Sequence, residues 1–194
     1  MDAAALARAI DDAFGSAPQP RDDALVLDDG IESERVRAAL SGRHWREVSL
    51  AEVAGPLRSA LGFLAPAAYR FYLPAFMTAA VSDFHAVAEA ADNAVRSLTA
   101  PRRADIEQIE RQARENPELQ PFGAAEWEQI VATLHDAHET IAAAFEARVA
   151  GFDPSQAAVI RAFLEYVARE HGADFPGGEP RLALERSWAD AGGR

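Results

Sequence analysis

The chain has 194 residues, enough for one domain that buries roughly 70% of its unfolded surface without covalent staples. It contains no cysteine, which excludes disulfides, thiolate metal ligands and a cysteine nucleophile, and no lysine, which excludes Schiff-base chemistry and a phosphate-loop lysine. All 19 basic residues are arginine against 31 acidic ones, a net charge of −12, and alanine, the best helix former, fills 44 positions.

Asp2 can cap a first helix in which Leu6, Ile10 and Phe14 recur at four-residue spacing, and Gly15 ends it. Asp11 and Asp12 break its apolar run and no basic residues precede it, so no signal peptide is read and a cytoplasmic location is expected. Residues 16–30 form an irregular acidic connection with an apolar insert, Leu25-Val26-Leu27, and their acids lack the alternation of an EF-hand. A short helix follows from Glu32 to Leu40, then His44-Trp45-Arg46-Glu47, which no periodicity assigns, and then a capping box, Ser49-Leu-Ala-Glu52.

The most apolar part starts at Phe63-Leu64-Ala65. Pro66 suits the first turn of a helix, and Pro74 should break or kink it, with a second helical piece running through Phe76, Met77, Ala80, Val81 and Phe84 towards Leu98. Leu61 to Val81 has the length of a membrane span, but an arginine at the bilayer centre, here Arg70, costs about 3 kcal/mol, so a core helix is predicted. After the Thr99-Ala-Pro101 linker come a charged helix, Asp105 to Glu115, stopped by Asn116-Pro117, and a long one from Ala124 to Val149. Gly151 ends that helix, and Asp153-Pro-Ser-Gln156 opens the next, which closes at His171-Gly172. A last helix lies around Arg181 to Trp188, and residues 173–194 are expected to pack loosely. No repeat and no clear strand is found.

The acidity is uneven. Between Asp105 and Glu146 there are ten acidic residues and two arginines, so this stretch carries −8 of the net −12. It is either a solvated helix surface or a face that meets a basic partner and steers its approach. Nucleic acid would be repelled, and no basic stripe interleaved with aromatics occurs.

Metal and catalytic patterns are weak. His135 and His138 are three apart on one helix face beside Glu139, but the zincin spacing and the Glu-x-x-His of di-iron bundles are both absent. His85 follows Asp83 by two residues, too few to share a helix face. No nucleophile elbow or glycine-rich phosphate loop is present. Arg70 stands out, set among Tyr69, Phe71, Tyr72 and Leu73. It either pairs with a carboxylate while its stem lies on aromatics, or lines a cleft with Tyr72 for an anionic group. Trp45 is read as a core aromatic at a loop–helix junction, with a binding anchor as the alternative.

Gly42-Arg-His-Trp45-Arg-Glu-Val, the run Phe63-Leu-Ala-Pro-Ala-Ala-Tyr-Arg-Phe-Tyr-Leu-Pro-Ala-Phe76, and Phe152-Asp-Pro-Ser-Gln156 followed by Phe163-Leu164 together resemble a bacterial family of unknown function, DUF6714. The resemblance touches residues from about 10 to 165, with the acidic 105–146 segment lying between matched parts. It implies a small cytosolic helical protein and no established activity.

The expected fold is all-α, a single-domain helical bundle over 1–194 of about six to eight helices with a proline-kinked central apolar helix. The expected function is non-enzymatic: an accessory or immunity-type interaction protein that turns Glu107, Glu110, Glu126 and Glu128 towards a basic partner. The alternative is a ligand-binding or hydrolytic enzyme with a pocket around Arg70, Tyr72 and Asp83, and Trp45 and Tyr69 are further binding candidates. A helical homodimer is a third reading. No catalytic, cofactor or metal residue is assigned, and no nucleic acid or membrane partner is expected.

Overall fold

In a computed structural model that describes residues 1–116 and 124–189, every regular element is helical. The described residues hold nine α-helices and no strand beyond an isolated antiparallel bridge between Val26 and Leu64. The chain divides into two compact units, residues 1–99 with 147–194, and residues 100–146.

Local capping chemistry starts several helices of the larger unit where the spacing predicts. Asp2 accepts the Ala5 N–H at 2.8 Å to open α1, Ala3–Phe14, whose Leu6, Ile10 and Phe14 are fully buried. Following α2, Ile31–Leu40, the unassigned stretch forms a single 3-10 turn, Trp45–Glu47. In it the His44 N–H donates to the Glu47 carboxylate at 2.7 Å, and His44 Nδ1 accepts from the Arg46 N–H at 3.2 Å. Ser49 and Glu52 exchange hydrogen bonds at the start of α3, Leu50–Ala54, as the capping box requires.

Helix α4, Pro66–Ser82, is buried over almost its whole circumference and packs against α1, the Trp45 turn and α5, Ala88–Ser97. An arginine-bearing helix of that apolarity belongs at the centre of a core. It runs unbroken through Pro74, whose missing N–H leaves the Arg70 carbonyl without its helical donor. It does not continue to Leu98. The helix stops at Asp83, whose backbone leaves the helical region and whose carboxylate accepts the Ala86 N–H at 3.1 Å, a local bond that competes with helix propagation.

Asp153 caps α8, Pro154–Glu170, through the Ser155 and Gln156 N–H groups, with Gln156 reaching back to the Asp153 N–H. This helix packs on α1 and on α9, Glu179–Ala183, which continues as one π-helical turn, Leu184–Trp188. Residues 175–188 are therefore anchored rather than loose. Phe175 and Trp188 are buried, and the Trp188 indole N–H donates to the Leu98 carbonyl at 2.8 Å. The last five residues, 190–194, lie outside the described residues.

Arg43 ties this unit together by gripping Glu52 at 2.7 Å while donating to the carbonyls of Ala39 and Glu47. Its guanidinium and the Ser49 donors hold the Glu52 carboxyl down at about 2 from its ordinary 4.5. A depressed carboxyl contributes stability above its unfolded value, and that contribution fades as pH falls from about 4.5 through about 2. Glu52→Gln should therefore be less stable at neutral pH and show a shallower acid loss in that window, read from urea midpoints at stepped pH.

The smaller unit pairs α6, Arg103–Glu115, with most of α7, Ala124–Val149. Arg103 meets Glu139 at 3.3 Å and Glu110 meets His135 at 3.6 Å, so partners on α7 come earlier as α6 advances and the pair is antiparallel. Ala113 and Val131 are buried in it, while Ile109 and Ile141 remain 43% and 47% exposed. Pro117 and Glu118, read as part of the helix stop and the acidic run, lie outside the described residues.

Candidate functional site

The residues singled out along the apolar helix do not converge on one pocket. Trp45 is buried, with the Arg46 guanidinium 4.9 Å from its ring centroid and the His44 ring beside it at 5.6 Å. The Tyr72 hydroxyl reaches the carbonyls of Leu40 and Arg43 at 2.9 and 2.7 Å, and the Tyr69 hydroxyl shares a hydrogen bond of 2.8 Å with Ser97. Burial pushes both phenols up to about 12, which keeps them protonated and unsuited to proton transfer near neutral pH. Asp83 is exposed at the far end of α4, roughly 20 Å of helix rise from Arg70. Arg70, Tyr72 and Asp83 thus form no common site.

Arg70 is half-buried, but its partners are backbone carbonyls rather than a carboxylate. Its Nη1 donates to Ala147 O at 2.9 Å and Arg148 O at 3.2 Å, closing the C-terminus of α7, where the helix dipole favours a cation. Gly151 leaves room for it: a Cβ there would lie 2.6 Å from the Arg70 Cζ. The same device recurs on α1. Arg46 donates to the Asp11 carboxylate and to the carbonyls of Asp11 and Gly15, and a Cβ on Gly15 would collide with its guanidinium. Two of the segments that carry the family resemblance therefore encode arginine-to-carbonyl ties that hold helix ends.

The exposed carboxylates of the notably acidic segment lie on the α6–α7 hairpin. Glu107, Glu115, Glu126, Glu128, Asp136 and Glu146 are exposed, and among the described residues none of them is in an ion pair. Within the hairpin Arg103 pairs with Glu139, and Glu110 accepts from Arg114 one turn on and faces His135. No three His, Cys, Asp or Glu side chains among the described residues lie close enough to hold an ion.

A cleft of about 320 Å³ opens between the two helices. Trp127, Val131 and His135, spaced by four, present one face of α7 to it, with Glu128 and Ala132 alongside, and α6 contributes Glu110 and Arg114. The Trp127 indole N–H is shut off from solvent and has no hydrogen-bond partner among the described residues.

A family model described as a family of unknown function, DUF6714, matches residues 3–134. The chain belongs to the DUF6714 family. The match takes in α6 and the first part of α7, so the start of the acidic segment lies inside it, while the Phe152–Gln156 segment lies beyond it. No curated protein and no solved structure matches the chain. No helix among the described residues of this DUF6714 chain is long and apolar enough to cross a membrane.

Nothing in the sequence singles out Trp127, Val131 or Arg114 beyond their membership of two predicted helices. The four-residue spacing of Trp127, Val131 and His135 was a usable signal. What it lacked was the antiparallel register that sets Glu110 and Arg114 opposite them.

Proposed function

We propose that this DUF6714 chain is a non-enzymatic interaction protein, accessory or immunity-type, whose acidic α6–α7 hairpin receives a partner with a basic surface. The supporting observation is the set of six exposed carboxylates, Glu107, Glu115, Glu126, Glu128, Asp136 and Glu146, that no described arginine neutralises. Unneutralised like charges along one helical hairpin repel each other, and a cationic partner relieves that repulsion. They also steer the approach of such a partner, which makes association sensitive to salt.

The test is co-purification from the native host at low and high salt, comparing the natural chain with a Glu107→Gln/Glu115→Gln/Glu126→Gln/Glu146→Gln variant. Exposed charge pairs contribute about 0.2–1 kcal/mol each, so four losses should weaken a basic partner's binding about fourfold or more. A specific partner should be held by the natural chain at low salt and lost both at high salt and from the variant. Retention of the same partners by the variant, or none that respond to salt, would overturn the assignment.

A further inference from the structure

We propose that the α6–α7 cleft is a pocket for a single arginine side chain of the basic partner, an inference that rests on the interaction role assigned to the hairpin. Its volume of about 320 Å³ is at the small end of ligand sites, suited to one side chain rather than a cofactor. The lining pairs carboxylates with an indole: Glu110 and Glu128 beside Trp127, with Val131 and Ala132 supplying apolar surface. That combination matches arginine in each part. A planar guanidinium with five donors pairs with carboxylate oxygens, tryptophan is the best aromatic partner for a cation, and the methylene stem covers apolar surface.

The chain itself displays the pairing. Glu110 accepts a hydrogen bond from the Arg114 guanidinium, and the Arg114 side chain is 74% exposed while Glu110 is 26% exposed. Glu110 is thus already held as a guanidinium acceptor at the cleft, by a donor with little packing to keep it there. Glu128 carries no ion-pair partner among the described residues, so an incoming guanidinium finds one free carboxylate and one shared with a loosely held arginine. Lysine would fit less well, because its compact ammonium is strongly hydrated and cannot lie flat on an indole while bonding carboxylate oxygens in a fork.

The experiment titrates the full chain, by calorimetry, with a short arginine-bearing basic peptide and with the same peptide carrying lysine at every arginine. The arginine peptide is expected to bind about tenfold more tightly. Trp127→Ala should abolish that preference, and Trp127→Phe, which keeps an aromatic wall and drops the orphan N–H, should retain most of it. Glu110→Gln/Glu128→Gln should abolish the preference as well, and this pair decides the matter if Trp127→Ala loses helicity by circular dichroism. If both peptides bind equally, and only the Glu107/Glu115/Glu126/Glu146 variant weakens them, the pocket is overturned while the acidic docking face stands. If neither peptide binds, the pocket is overturned too, and the docking face is judged by co-purification alone.

Discussion

Trp45→Ala should destabilise the chain by about 3–5 kcal/mol, the range for truncating a buried large aromatic, and leave binding of a basic partner unchanged. The ring is 4% exposed, belongs to the continuous core of the larger unit, and sits in a turn that packs on α4. Its loss also removes the surface over which the Arg46 guanidinium lies, and Arg46 is the residue that holds the end of α1. For a chain of this length each kcal/mol is worth about 2–4 °C in melting temperature, so the expected fall is about 6–20 °C. Trp45→Phe should cost clearly less. The Trp45 indole N–H is buried with no hydrogen-bond partner among the described residues, so phenylalanine keeps most of the packing and discards that donor. Urea midpoints measure both variants, and a binding defect in Trp45→Ala with undiminished stability would make the residue an anchor instead.

Arg70→Met should cost about 2 kcal/mol, from the loss of charge-assisted hydrogen bonds to the carbonyls of Ala147 and Arg148. Gly151→Ala should reproduce much of that loss without touching Arg70, because the new methyl would occupy space now held by the guanidinium, 2.6 Å from both Cζ and Nε. The decisive measurement is the double variant. Once Arg70 is gone the methyl loses its three nearest contacts, so the double loss should stay close to that of Arg70→Met alone, with a coupling of about 1 kcal/mol or more. Additive losses would mean that the two residues do not share one cap. Partner binding should survive in all three variants, because the group that Arg70 neutralises belongs to the chain's own helix end.

These expectations mark where the chain was legible. The starts of α1, α3, α4 and α8 were readable from Asp2, Ser49, Pro66 and Asp153, because each cap is completed within one turn of chain. The burial of α4 was readable too, from an apolar run that carries Arg70 where a membrane span would have its centre. The stop at Asp83 was not, because the apolar residues of α4 and α5 keep helical spacing across a break made by one side chain bonding locally. The anchoring of residues 175–188 was also hidden, since it rests on Trp188 reaching a carbonyl 90 residues earlier.

For function, the sequence located the charge, and the structure decided which charges are free. Composition and spacing alone establish an all-helical chain, its helix starts, its missing cysteine and lysine chemistry, and the clustering of acid between Asp105 and Glu146. Those properties are local or additive along the chain, so no partner need be known to read them. The partner of Arg70 lies 77 residues away in α7, and the cleft at Trp127 exists only because α6 and α7 run antiparallel with Glu110 opposite His135. Pairings of that kind are set by how helices pack, and an arginine in an apolar run looks the same in sequence whether it meets a carboxylate, a ligand or the open end of a helix.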